Sequence, residues 1–145
     1  FLGITFNYGL ILGWTAIRGQ IDIMPIIFYL GTIFWTLGYD TIYGFQDIKD
    51  DEIIGLKSTS IKFKKKPFIF LLVCYVVFFS TILTLGILEN INIFYYAFSL
   101  IIGYHLFIYQ LKNVNLDNPV NCLKIFKSNN FFGLLVFIQI LISKI

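Results

Sequence analysis

Long apolar runs separated by short polar stretches set the pattern of this chain. Residues 1–18, about 23–46, 67–88, 91–111 and about 130–145 are dominated by Ile, Leu, Phe, Val and Tyr, and the runs 67–88 and 91–111 carry no charged side chain. A helix rises about 1.5 Å per residue, so about 20 apolar residues cross a hydrocarbon core of about 30 Å. The pattern predicts five membrane helices, the last one short for a full crossing. Pro67 suits the first turn of the third segment, and Asn129 or Asn130 suits the N-cap of the last. Polar loops are expected at about 45–66 and 112–129.

Composition removes the soluble alternative. The chain has 145 residues, of which 58% are hydrophobic, 19% aromatic and 13% charged, and its mean hydropathy is +0.82. Soluble domains carry about a quarter charged residues. The fold class expected is therefore all-α, a polytopic transmembrane bundle. The chain opens at Phe1 in the middle of an apolar run, so it is expected to be the C-terminal part of a longer membrane domain. No basic leader with a small-residue cleavage site stands at the start, which argues against a secretory signal. Cys74 and Cys122 lack the spacing of a metal or redox pair.

Charge then orients the bundle. Of eleven basic residues, nine lie in the two long loops: Lys49, Lys57, Lys62, Lys64, Lys65 and Lys66 in the first, Lys112, Lys124 and Lys127 in the second. Only Arg18 and Lys144 fall near the opposite face. Basic residues in short loops stay on the cytoplasmic side, so both long loops are expected there or on the matrix side. The net charge of +3 follows from this asymmetry and calls for no nucleic-acid partner.

The candidate chemistry sits in one stretch, YDTIYGFQDIKDDEIIGLKST, residues 39–59. Four of the chain's eight acidic residues fall between Asp47 and Glu52, and Asp40 lies just before them. If the second helix runs on past the membrane edge, Asp40, Asp47 and Asp51 fall within about 40° of one another on one face. Asp47 and Asp51 are also one turn apart, and two neighbouring carboxylates are best tolerated around a cation. Magnesium suits such a site, because it uses one or two carboxylates and completes its shell with water and phosphate oxygens. A solvated acidic cap balanced by Lys49 and Lys57 explains the cluster alone equally well. Three features weigh against that reading. Asp40 follows seventeen uncharged residues and falls at membrane depth, where ionisable groups are functional candidates. Tyr39, Tyr43 and Phe45 offer aromatic faces to a cation at the same turn. Lys57 stands where a cation can meet a diphosphate.

Residues 39–59 closely resemble the second aspartate-rich motif of the UbiA superfamily of intramembrane prenyltransferases, and most of all its 4-hydroxybenzoate polyprenyltransferase branch. The stretch DNPVNCLKIFKSNNFFG, residues 117–133, resembles that family's last cytoplasmic loop and the start of its final helix. The resemblance implies a bundle of about nine helices, of which five are here, with two facing aspartate-rich motifs. It implies Mg²⁺ as cofactor, a polyprenyl diphosphate and 4-hydroxybenzoate as substrates in ubiquinone biosynthesis, and a bacterial or mitochondrial inner membrane as the setting. By the same resemblance Asp47 and Asp51 hold the metal and its diphosphate, with Asp40 and Asp50 in second rank; from their positions Tyr43 is added as a catalytic residue and Lys57 as a contact for the diphosphate. The family's first motif, of NDxxD type, has no counterpart in this chain, which fits the loss of about four upstream helices and puts the activity of the isolated segment in doubt. Related enzymes acting on haem or menaquinone precursors, and a non-catalytic relic, remain as alternatives.

The implied reaction needs no side-chain nucleophile, and none of the GxSxG, HExxH or Gly-rich phosphate-loop motifs is present. His105 stands alone in an uncharged run and reads as a packing residue rather than a ligand. Arg18 reads as a snorkelling helix-end charge more than as a contact for an aromatic carboxylate, and Trp14 and Trp35 as interface anchors. A cation channel would spread its acids over several helices, whereas here they gather at one membrane edge.

Overall fold

A computed structural model describes residues 2–144. The elements in order are α1 (Leu2–Arg18), α2 (Ile23–Gly44), α3 (Ile48–Ile53), α4 (Thr59–Lys62), α5 (Pro67–Leu88), α6 (Ile93–Gly103), α7 (Pro119–Lys127) and α8 (Asn129–Ile142). The chain leaves α6 directly into a π-helix, Tyr104–Lys112. Among the described residues four stretches are long and apolar enough to cross a membrane: Ile23–Gly44, Pro67–Leu88, Ile93–Lys112 and Pro119–Ile142. The protein is an all-α, polytopic membrane bundle.

Local chemistry sets the helix starts. The Asp22 carboxylate accepts from Met24 N at 3.1 Å, and Asn92 Oδ1 accepts from Phe94 N and Tyr95 N. Each satisfies backbone donors that a first turn leaves free. Pro67 opens α5 after the lysines. The last span departs from the expected pattern. Neither Asn129 nor Asn130 is an N-cap, because the start lies earlier: Asn118 Oδ1 accepts from Val120 N and Asn121 N, with Pro119 in the first turn. α7 is amphipathic, with Cys122 and Ile125 buried and Lys124 and Lys127 exposed. Lysines that read as a loop are the wet face of a helix. The final span thus covers Pro119–Ile142, long enough to cross, and Asn129 lies buried at the α7–α8 junction.

The core lies where α2, α5, the π-segment and α8 meet, around Ile42, Leu71, Tyr75, Phe78, Leu106 and Phe132. Two glycines let α2 approach α5. A Cβ on Gly38 falls 2.6 Å from Tyr75 Cε1, and one on Gly31 falls 2.7 Å from Thr81. Small residues at such crossings bring backbones together in a medium where lipid already satisfies apolar surface. Tyr75 is 0% exposed and its hydroxyl is tied to Gln110 at 2.5 Å, so it has no room to yield. Gly38→Ala is expected to cost about 1–3 kcal/mol through overpacking. Thermal unfolding of the full-length protein in detergent checks this against Gly9→Ala, where nothing lies within 4 Å.

A buried polar network locks the same helices. Tyr75 Oη donates to Gln110 Oε1 at 2.5 Å. Gln110 Nε2 donates to Asn129 Oδ1 at 2.9 Å and lies 3.3 Å from His105 Nδ1. Trp35 Nε1 donates to the same Asn129 oxygen at 2.9 Å. In an α-helix His105 and Gln110, five apart, diverge by about 140°. The π-turn closes bonds between residues five apart, which returns both to one face. His105 also packs against Tyr109 and Phe132, with ring centroids at 5.0 and 5.1 Å, the surroundings of a packing histidine.

Candidate active site

The acidic stretch forms a short hairpin of helices at one end of α2. α2 stops at Gly44, and the chain passes through a bend at 45–47 before α3 begins. Phe45 and Ile48 are buried and draw the chain inward at this bend. α2 therefore does not continue, and Asp40, Asp47 and Asp51 do not share one helical face. Phe45, 7% exposed, belongs to the core and also borders the groove beside Asp47.

Asp47 and Asp51 stand one backbone turn apart at the start of α3. Asp47 occupies the N-cap position without a side-chain cap bond, and Asp51 N donates to Asp47 O at 3.0 Å, closing one turn between them. The helix ends in a Schellman motif: Leu56 N donates to Asp51 O at 2.9 Å and Gly55 N to Glu52 O at 3.3 Å. Gly55 has φ 72°, the left-handed conformation this cap requires. The KST triplet then docks the hairpin. Ser58 caps α4 by accepting from Ile61 N, Thr59 Oγ1 lies 2.7 Å from Thr41 Oγ1 of α2, and Ser60 abuts Gly44 so closely that a side chain there has no space. Lys64 pairs with Glu52 at 2.8 Å and ties α3 to the segment before α5.

The sequence-predicted residues fall into three places. Asp47 and Asp50 line a groove of about 730 Å³ bounded also by Lys64, Phe68, Leu116 and Asp117. Asp40, half-buried on α2, and Asp51, half-buried on α3, lie outside that lining. Tyr43, 40% exposed, packs its ring 4.7 Å from that of Phe126, and Lys57 stands in solvent past Gly55. Among the described residues Asp40, Asp47, Asp50, Asp51 and Lys57 form no hydrogen bond or ion pair through their side chains, while neighbouring Glu52 is taken up by Lys64. Among the described residues no three His, Cys, Asp or Glu side chains gather around a point.

Two features escaped the sequence reading. Gln46 Oε1 is buried with no hydrogen-bond partner among the described residues, and Gln46 borders the groove beside Asp47. Trp35, Tyr39 and Tyr43 form a ladder along α2 against Phe126 and Phe132, with centroid separations of 4.7 to 5.8 Å. The four-residue spacing of these aromatics was the available signal for the ladder; nothing marked Gln46.

A membrane bundle with an unpaired acidic hairpin at a helix end is the class that fold and site define. The UbiA prenyltransferase family model matches residues 1–136, and the chain belongs to that family. It is 42% identical over 99% of its length to the mitochondrial 4-hydroxybenzoate polyprenyltransferase of Dictyostelium discoideum. It is 37% identical to the mitochondrial 4-hydroxybenzoate polyprenyltransferase of Homo sapiens, and 35% to the 4-hydroxybenzoate octaprenyltransferase of Francisella tularensis subsp. novicida, each again over 99% of the chain. The chain spans 31%, 39% and 50% of these three proteins. No solved structure matches it.

Proposed function

We propose that the protein to which this segment belongs transfers a polyprenyl group from polyprenyl diphosphate to the ring of 4-hydroxybenzoate, a step of ubiquinone biosynthesis. The observation that carries the reading is the unpaired pair Asp47 and Asp51, one turn apart at the end of a membrane helix. The names and identities of the relatives support it. In this reading residues 1–145 are one part of a single transmembrane domain, and a complementary acidic motif comes from the rest of the protein. The acidic hairpin faces the cytoplasm or matrix, as the nine lysines between Lys49 and Lys127 favour.

Asp47 and Asp51 hold Mg²⁺ in this scheme, with Asp50 and Asp40 flanking. When bound, the ion neutralises charge on the departing diphosphate. Lys57 adds a positive charge for the same phosphate oxygens. Tyr43 presents an aromatic face toward the positive charge that develops on the allylic carbon. The apolar helices hold the isoprenoid tail and keep water from the reacting carbon. The electron-rich phenol ring then forms the new C–C bond and loses a proton. Full-length protein in membranes, given labelled prenyl diphosphate, 4-hydroxybenzoate and Mg²⁺, is expected to yield prenylated product, to stop with EDTA and to recover with added Mg²⁺. Transfer indifferent to chelation would rule out the metal site.

A further inference from the structure

At the end of the bundle away from the acidic hairpin, a second cavity of about 570 Å³ opens among α1, α2, α5, α6 and α8. α2, 22 residues long, separates the two ends by about 33 Å at 1.5 Å per residue. The walls are mainly apolar, reaching Leu10, Phe28, Ile82 and Val136, about one and a half to two turns in from the helix ends. The mouth is charged: Arg18, Lys144 and Glu89 border it. Eleven basic residues occur in the chain, and nine lie in the loops of the other face. The remaining two, Arg18 and Lys144, both border this one cavity. Topology disfavours basic residues on this side, so chance placement of both at one opening is a poor explanation. The cavity also holds a donor in want of an acceptor. Trp14 Nε1 is buried without a partner among the described residues, and Arg18 Cζ lies 5.6 Å from the Trp14 ring centroid, which keeps the guanidinium beside it.

Among the lining residues two cations stand against one carboxylate above an apolar slot, and Asp22 caps α2 at the same end outside the lining. We infer that this cavity is a binding site for an anionic glycerophospholipid, its phosphate at Arg18, Lys144 and Trp14 and one acyl chain in the slot. A phosphate oxygen accepts from the indole N–H and from the guanidinium, and the acyl chain fills space that no side chain occupies. The site is separate from the acidic hairpin and does not depend on the prenyl-transfer reading.

The test uses the full-length protein in detergent, with dioleoyl phosphatidylglycerol and dioleoyl phosphatidylcholine as probes. Native mass spectrometry is expected to show a saturable phosphatidylglycerol adduct, favoured over phosphatidylcholine by about tenfold or more, given about 1 kcal/mol for each basic residue near a lipid surface. Arg18→Gln with Lys144→Gln should remove that preference, whereas Lys65→Gln with Lys66→Gln, on the opposite face, should leave it. Phosphatidylglycerol with brominated acyl chains should quench an indole emission component that is missing in Trp14→Phe. Equal binding of the two lipids, a preference unchanged in the Arg18 and Lys144 variant, or no Trp14 quenching because another part of the protein fills the cavity, would each overturn the proposal.

Discussion

Full-length protein carrying Asp47→Ala together with Asp51→Ala is expected to lose about 10³-fold or more in kcat/KM for prenyl transfer, since removing one preorganised charge contact costs about 10² to 10³. Stability should change by less than about 0.5 kcal/mol, as for surface positions without partners. The two expectations diverge because of where the carboxylates stand. Among the described residues neither makes a side-chain hydrogen bond or ion pair, and Asp47 leaves its own capping position unused. Carboxylates one helical turn apart repel by a few tenths of a kcal/mol, so the apo hairpin gains nothing from them. Such a pair contributes only when a cation arrives. Glu52→Gln is the matched control: its carboxylate already pairs with Lys64 at 2.8 Å, and prenyl transfer should fall less than about threefold, the scale of an exposed ion pair. Transfer assays with Mg²⁺, alongside thermal unfolding, separate the outcomes. A double variant with near-normal kcat/KM would remove Asp47 and Asp51 from the site, and one that fails to fold would show that the pair is structural.

Much of this was legible because membranes simplify sequences. Residues 67–88 contain no charge, and lipid admits only a helix there, since every backbone group must be satisfied internally. The acidic cluster was equally plain, because four of the eight acidic residues fall between Asp47 and Glu52. What remained hidden depends on tertiary contacts. The bend after Gly44 arises because Phe45 and Ile48 are buried and Ser60 packs against Gly44, none of which local spacing reveals. Without those contacts a continuous helix through Asp40 and Asp51 is the natural reading. Lys124 and Lys127 read as loop charges because charge counts ignore the face on which a lysine stands. The π-turn was hidden most completely: its residues, YHLFIYQLK, carry no sequence sign of their winding, and only the partners of Gln110 and His105 explain it.

Those partners make Gln110 the position whose loss should most damage the fold. Gln110→Leu keeps the apolar volume but removes an acceptor from the Tyr75 hydroxyl and a donor from Asn129 Oδ1. Tyr75 and Gln110 are both 0% exposed, so no water replaces the missing bond. A buried polar group left unsatisfied costs about 1–3 kcal/mol, whereas single side-chain hydrogen bonds in membrane proteins average about 0.6 kcal/mol and reach about 1.7. The smaller scale applies to Asn129, whose oxygen keeps the Trp35 indole; the larger applies to the Tyr75 hydroxyl, which has no other partner among the described residues. Together they give an expected loss of about 2–4 kcal/mol. The π-winding should also relax, because with Leu at 110 nothing polar draws residues 105 and 110 to the same face. Tyr75→Phe removes the stranded hydroxyl, so Gln110→Leu with Tyr75→Phe should be less destabilised than the sum of the single variants, by at least about 1 kcal/mol. Equilibrium unfolding of the four full-length proteins in mixed micelles measures that difference directly. Strict additivity, or a Gln110→Leu protein as stable as the parent, would mean that apolar packing of α2 against α5 holds these helices without the network.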